Sequence, residues 1–203
     1  TATQLVQDDI KNILNLKKNT VIIRESFERD NLIIKIIDSQ NLNIFIDIEN
    51  KLKDIYRNKC GIIYCNSRKK CELLCEFLLD KGIKTAFYHA GLTAEKRKYI
   101  QGYWKNDKIK VVIATIAFGM GINKKDVRFV IHSNLPNCIE NYYQEIGRCG
   151  RDGNLSDCIL YYNYNDTLVH KRIINSNFSD DKDIKYKNHK LDKLNKMVLY
   201  LEN

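Results

Sequence analysis

Short apolar runs alternate along the middle of the chain with segments whose apolar residues recur every three or four positions. The runs are rich in β-branched and aromatic residues, and most lack strict apolar–polar alternation. This pattern is typical of parallel strands buried on both faces. It predicts six strands, at 32–37, 60–65, 84–89, 109–114, 128–132 and 158–162.

Helical patterns separate these strands and also occur at both ends of the chain. Four helices are predicted between strands, at 44–56, 67–81, 93–106 and 138–147. This repetition indicates βαβ units and an α/β fold with a mainly parallel central sheet. A helix at 5–16, a short strand at 20–23 and a polar connector at 25–31 precede them. After about Asn175 the chain becomes charged, and a last helix is predicted at 191–201.

Composition points to one large domain, or one domain with parts of its neighbours, in 203 residues. A hydrophobic content of 44% is enough for a normal core. The net charge of +9 favours nucleic acid or another polyanion as partner. No apolar run reaches membrane-spanning length, and the polar opening segment predicts no signal peptide.

Seven cysteines are present, and none forms a CxxC pair. Cys71 and Cys75 share one helix face, but no second pair with finger-like spacing follows. We expect reduced thiols in an intracellular protein and no metal site within this chain.

Two segments place polar residues directly after predicted strands, where ligands of open α/β sheets bind. The segment 61–68 reads GIIYCNSR, so Ser67 and Arg68 stand where a helix N-terminus could hold a phosphate, although Ser67 could simply cap the helix. In the segment YHAGL, His89 either contacts a phosphate or stabilises the turn by hydrogen bonding within the protein.

A third segment, ATIAFGMGINKKDVR at 114–128, follows another strand. Thr115 stands at the strand end, Gly119 and Gly121 form a turn whose amides can point at a phosphate, and Asn123 adds a polar group. No GxxxxGK[ST] sequence occurs in the chain. The chain therefore has groups that can contact a phosphate, but it lacks the groups that bind and activate a triphosphate. This combination predicts one half of a nucleotide site that is shared between two lobes.

The segment YYQEIGRCGRDG at 142–153 holds two arginines beside glycines, Arg148 and Arg151. A guanidinium fork on a glycine-rich helix end suits an anion, and the best candidate is a nucleotide phosphate. The alternative is a structural helix end with two solvated arginines.

In this order, the four segments resemble motif IV, the block that follows it, and motifs V and VI of RecQ-type DNA helicases of superfamily 2, with the greatest likeness to the Bloom syndrome type. The resemblance covers about residues 25–175. Residues 1–3 resemble the end of motif III, residues 26–32 resemble the linker into the second RecA-like lobe, and the tail resembles the start of the zinc-binding subdomain.

The resemblance implies a RecA-like three-layer fold, with the end of the first lobe at 1–24, the second lobe at 25–175 and a helical extension at 176–203. It implies a nuclear ATP-dependent helicase of DNA repair and recombination that moves 3′ to 5′ on single-stranded and forked DNA. ATP and Mg²⁺ would be bound mostly by the first lobe of the same protein. Zinc would bind only downstream, and no membrane is involved.

The resemblance also assigns roles to residues. Arg151 matches the arginine finger of motif VI, Arg148 its companion near the γ-phosphate, and Gln144 the motif VI glutamine. On the nucleotide side we place Asn123 and Gly121. On the DNA side we place Ser67, Arg68, His89 and Thr115. Two departures are Lys125, where proline is usual, and Cys149, where alanine is usual.

Two other functions compete with this interpretation. A lobe of a DEAD-box RNA helicase would have His-Arg before the first glycine-arginine of motif VI, whereas this chain has Gln144, Glu145 and Ile146 there. A non-catalytic nucleic-acid-binding module would not need Arg148 and Arg151.

Overall fold

The computed structural model describes residues 4–17, 19–21, 23, 28–119, 122–177 and 184–202. The chain forms two compact units, residues 1–30 and 31–203. The first contains helix α1 (Gln4–Ile13), close to its predicted position. The prediction of a strand at 20–23 is wrong for the described residues of that segment. Val21 is 81% exposed and Ile23 is 86% exposed, and neither lies in a strand. An apolar run forms a strand only where a neighbouring strand and a core can receive it.

The second unit is built on one sheet of six parallel strands. All six predicted strands are present, with ends shifted by up to two residues. They are β1 (Leu32–Asp38), β2 (Cys60–Tyr64), β3 (Thr85–Tyr88), β4 (Val111–Ala114), β5 (Val127–His132) and β6 (Ser156–Tyr162). Their order across the sheet is β1-β6-β5-β2-β4-β3.

Helices lie between most consecutive strands, β4 and β5 excepted, and also follow the last strand. The four predicted between strands are present: α2 (Ile44–Lys53), α3 (Arg68–Asp80), α4 (Ala94–Lys105) and α5 (Ile139–Ile146). The helix α6 (Tyr164–Asn177) was not predicted, and α7 (Ile184–Glu202) begins seven residues before the predicted 191. Among the described helices, none is both long enough and apolar enough to cross a membrane.

Helices cover both faces of the sheet, so the expected RecA-like three-layer arrangement is confirmed. One apolar cluster joins alternate strand residues to Trp104 of α4, Tyr142 of α5 and Met197 of α7. The other joins the intervening strand residues to Ile48 of α2 and Leu74 of α3. Each central strand therefore contributes to two cores, which is why its sequence shows no alternation.

Strand β1 departs from the prediction that the strands are buried on both faces. Ile33, Ile34 and Ile36 are 40–43% exposed. Within the part of the chain that the structure describes, the sheet order places β1 at an edge, paired with β6 alone. Strand order depends on contacts distant in sequence, so the apolar run alone could not reveal this exposure.

Candidate nucleotide and nucleic-acid site

The carboxyl ends of the central strands meet at one edge of the sheet, because β5, β2 and β4 are parallel neighbours. There the loops that follow these strands line a cavity of about 510 Å³, with Ser67 after β2, Thr115 after β4 and Asn134 after β5. Two candidate DNA-contacting residues, Ser67 and Thr115, are thus brought together. Polar groups at such an edge are where open α/β sheets bind ligands.

Ser67 and Arg68 begin helix α3. The Ser67 hydroxyl accepts a hydrogen bond from the Lys70 amide at 3.2 Å, so Ser67 acts as the helix N-cap. Arg68 is exposed, and its Nη1 would lie 3.2 Å from a Cβ added at Gly91. The missing side chain at Gly91 thus leaves room for the guanidinium. The structure therefore supports the capping role of Ser67 and leaves the Arg68 side chain accessible.

His89 is 4% exposed, and both ring nitrogens have partners within the protein. Its Nδ1 accepts from the Gly91 amide at 3.2 Å, and its Nε2 lies 3.0 Å from a carboxylate oxygen of Glu72. Because Nδ1 is an acceptor, Nε2 carries the proton and donates to Glu72. This geometry agrees with the turn-stabilising role, and a contact of His89 with DNA stays a prediction.

A second histidine–glutamate pair, which the sequence analysis missed, lies beside the same cavity. His132 ends strand β5, and its Nε2 is 2.7 Å from Oε2 of Glu145 on α5. Their side chains are only 3% and 8% exposed. The polar run His-Ser-Asn at the end of a buried strand was a signal that could have indicated His132.

Arg148 of motif VI points into the protein. It is 8% exposed, and its Nη1 donates to the carbonyl of Gly119 in motif V. The hydroxyl of Tyr64 donates to the adjacent carbonyl of Phe118 at 2.9 Å. The Nε of Arg148 is buried and has no hydrogen-bond partner in the described part of the chain. Arg148 therefore joins motif VI to motif V and retains one unused donor.

The contact between Arg148 and Gly119 requires a glycine at position 119. We expect Gly119→Ala to lower the free energy of unfolding by about 1–3 kcal/mol. A Cβ at this position would lie 2.4 Å from Nη2 of Arg148, so the guanidinium must leave its place. Gly102→Ala is the matched control, because an added Cβ within helix α4 meets nothing within 4 Å. It should raise stability by about 0.5–1 kcal/mol. Urea denaturation of both variants tests this, and equal effects would contradict the role assigned to Gly119.

Arg151, in contrast to Arg148, is exposed. Its Nη1 donates to the carbonyl of Ile122 at 2.9 Å, and its Nε donates to the carbonyl of Gly147 at 3.3 Å. Ile122 precedes Asn123, which is exposed and lines a second cavity of about 310 Å³. The structure thus brings Arg148, Arg151 and Asn123 to one stretch of motif V.

Two nucleotide-side candidates remain, Gly121 and Gln144. Gly121 lies outside the described residues. Gln144 is exposed on helix α5, one turn before Arg148.

The loop that carries Arg151 is held by an ion pair between motifs V and VI. Nη2 of Arg128 lies 2.6 Å and 2.7 Å from the two carboxylate oxygens of Asp152. Hydrogen bonding to Arg128 lowers the pKa of Asp152 to about 2. The pair therefore contributes stability above about pH 4, where an unfolded aspartate is ionised, and loses it as the pH falls toward 2.

Lys124 anchors the segment next to Asn123. It is 7% exposed, and its Nζ lies 3.2 Å from Asp107 and 3.1 Å from Asp126. Its ammonium also lies 5.8 Å from the ring centre of Trp104. Among the described residues, no group of three or more His, Cys, Asp or Glu side chains could hold a metal ion.

Comparison with known proteins identifies the family of the chain. The family described as the helicase conserved C-terminal domain matches residues 42–153. ATP-dependent DNA helicase Q-like 4B of Arabidopsis thaliana is 47% identical over 174 residues, which cover 86% of this chain and 15% of that protein. RecQ-like DNA helicase BLM of Xenopus laevis is 41% identical over 204 aligned positions, which cover 100% of this chain and 15% of that protein. The chain thus spans about one seventh of these relatives' length.

A solved structure shares the fold. Saccharomyces cerevisiae Dbp5 L327V bound to RNA and ADP BeF3 matches with a TM-score of 0.68 at 20% sequence identity. The match covers 94% of this chain and 53% of that chain. The solved structure shows the fold, and the sequence matches confirm the family suggested by the four motifs. The chain belongs to the helicase conserved C-terminal domain family, and RecQ-like DNA helicases are among its relatives by sequence.

Proposed function

We propose that this chain is the C-terminal motor lobe of an ATP-dependent DNA helicase that moves 3′ to 5′ on single-stranded DNA and unwinds duplexes in DNA repair and recombination. In this proposal residues 1–24 end the first RecA-like lobe, 25–175 form the second lobe, and 176–203 begin a helical, zinc-binding subdomain. The whole protein acts in the nucleus on single-stranded and forked DNA.

The observation that carries this proposal is the convergence of motif V and motif VI. Arg148 donates to Gly119 and Arg151 donates to Ile122, so both arginines lie on one short backbone segment. One guanidinium is buried and the other is exposed. A purely structural helix end would have no need for an exposed arginine held in a defined position beside Asn123.

The residues present fit part of a nucleotide site. Arg148 has a buried Nε without a partner among the described residues, and Arg151 and Asn123 present exposed polar groups. These donors suit the oxygens of a triphosphate. Bound ATP with Mg²⁺ supplies the phosphoryl transfer that drives the motor. The lysine of a P-loop and the carboxylates that hold Mg²⁺ would come from the first lobe, since no GxxxxGK[ST] occurs in these 203 residues.

The proposed path for single-stranded DNA follows the carboxyl ends of β2 and β4. Arg68 offers an exposed guanidinium, and Thr115 lines the 510 Å³ cavity together with Ser67. Phosphate contacts from such groups position a strand without reading its sequence, which suits a motor that must move along any DNA.

ATP turnover by the full-length protein should be stimulated by single-stranded DNA and not by RNA. Arg68→Ala should raise the DNA concentration needed for half-maximal stimulation several-fold, because one phosphate contact is lost. Lys69→Ala is the matched control: Lys69 is an exposed cation on the next residue of α3, and its removal should have little effect. The measurement is steady-state turnover against DNA and RNA concentration.

Other results would favour the competing functions. Stimulation by RNA alone would identify an RNA helicase. Nucleic-acid binding without any turnover would indicate a non-catalytic module. Equal effects of Arg68→Ala and Lys69→Ala would remove Arg68 from the DNA path.

A further inference from the structure

Three loops meet at the amino-terminal edge of the sheet, at the opposite end of the strands from the 510 Å³ cavity. They join α2 to β2, α3 to β3 and α4 to β4, and these strands are parallel neighbours in the order β2-β4-β3. Each loop contains one residue in the left-handed region, namely Asn58 (φ 60°), Gly82 (φ 76°) and Asp107 (φ 61°). A lysine follows each of these within two residues. Each of the three loops therefore presents a cation shortly after its left-handed residue, along one edge of the sheet.

These loops line a cavity of about 690 Å³, whose 14 lining residues we call the amino-end patch. It has one acidic residue, Asp107, and seven cationic ones, so its net charge is +6. The whole chain of 203 residues has a net charge of +9. Most of the excess charge is thus concentrated in this patch. The cationic residues are Arg57, Lys53, Lys59, Lys81, Lys84, Lys108 and Lys110.

Ion pairs neutralise only a small part of this charge. Lys53 pairs with Glu49 at 2.7 Å, and Lys110 pairs with Asp107 at 2.9 Å. The other five cations of the patch are exposed and have no ion pair within the part of the chain that the structure describes. Asp107 is also shared with Lys124 from outside the patch, so it offsets even less of the patch's own charge.

Helix dipoles do not account for the whole patch. A cation near a helix C-terminus is stabilised by the dipole, and this explains Lys53 and Lys81. Lys59, Lys84 and Lys110, however, directly precede strands β2, β3 and β4. Like charges gathered on one edge repel one another unless an anion binds between them.

We propose that the amino-end patch binds the phosphate backbone of duplex DNA. Six of its seven cations are lysines, which act as point charges and suit phosphates in any arrangement. Its one aromatic lining residue, Tyr56, is only 3% exposed, whereas proteins that bind single strands use exposed aromatic rings for stacking. An acidic protein partner would need an exposed apolar or aromatic anchor. Leu52 and Val111 in the patch are buried, and Ile83 is partly buried and packs against the core. A duplex, whose bases are already stacked inside, needs only phosphate contacts.

The test compares two triple variants of the full-length protein. The patch variant is Lys59→Gln, Lys84→Gln and Lys108→Gln, and the control is Lys185→Gln, Lys187→Gln and Lys190→Gln on helix α7. Both remove three positive charges. Binding of a blunt-ended duplex is measured over a range of salt concentrations. In the patch variant the slope of log K against log salt should become shallower by about 0.9 for each lost contact, up to about 2.7. The control should keep the parental slope.

Turnover stimulated by single-stranded DNA should be unchanged in both variants, so this proposal can fail while the proposed motor function stands. An equal slope in the patch variant and the control would overturn the proposal. So would a patch variant that loses binding of polyglutamate but keeps duplex binding, because the partner would then be an acidic protein segment.

Discussion

Replacing Arg151 by alanine in the full-length protein is expected to lower DNA-stimulated ATP turnover by about 10³- to 10⁵-fold. This corresponds to about 4–7 kcal/mol of barrier. The Arg151 guanidinium is exposed and is held by the carbonyls of Ile122 and Gly147, so it is oriented before a nucleotide binds. Preorganised donors of this kind act mainly on charge that develops in the transition state. Affinities for nucleotide and DNA should therefore stay within a few-fold of the parent.

Two further variants separate geometry from charge. Arg151→Lys should also lose most of the turnover, because an ammonium keeps the charge and lacks the planar fork. Arg172→Ala removes an exposed arginine from helix α6 and should leave turnover near the parental rate. The measurements are turnover at saturating ATP and DNA, together with nucleotide affinity. Near-normal turnover in Arg151→Ala would mean that the catalytic arginine lies elsewhere.

Removing the Glu145 carboxylate is expected to lower the free energy of unfolding by about 2–4 kcal/mol. Glu145 and His132 are both buried and lie 2.7 Å apart, so Glu145→Ala leaves Nε2 of His132 without its partner and away from water. His132 already has a buried Nδ1 with no partner in the described part of the chain. Glu145→Gln, which can still accept a hydrogen bond, should recover part of the loss.

Glu72→Ala is the matched control for this prediction. Glu72 also contacts a buried histidine, His89, at 3.0 Å, but its side chain is 50% exposed. Water can replace the lost carboxylate there, so the cost should be at most about 1 kcal/mol. Urea denaturation of the parent and the three variants measures both effects. If Glu72→Ala and Glu145→Ala lower the free energy of unfolding by the same amount, burial does not determine how much these histidine–glutamate pairs contribute to stability.

Most of the helices and strands follow from local patterns in the sequence. All six strands were visible because buried parallel strands form continuous apolar runs, and β2 and β4 are buried along their whole length. Helix α6 was missed, and α7 begins earlier than predicted. The first turns of α7 read IKYKNHK, and the residues of α6 are mostly exposed, so neither segment shows a clear apolar stripe. Helices of this kind are stabilised mainly by packing against the rest of the protein, so the local pattern of residues does not reveal them.

The motifs were also local properties of the chain. Motif IV, motif V and motif VI are contiguous segments, so their order along the sequence was enough to identify the family. What each side chain does was not local. Arg148 and Arg151 are three residues apart, yet one is buried against Gly119 and the other is exposed on Ile122. No sequence pattern distinguishes two arginines that both follow a glycine.

Which polar groups become neighbours depends on the packing of the elements and is not visible in the sequence. The contact between His132 and Glu145 requires α5 to pack on β5, and the amino-end patch requires three loops from distant parts of the chain to reach one edge. The exposure of β1 likewise follows from its place at the sheet edge. Apolar periodicity reports which residues are buried, whereas strand order and helix packing set which residues become neighbours, and these depend on contacts between residues far apart in sequence.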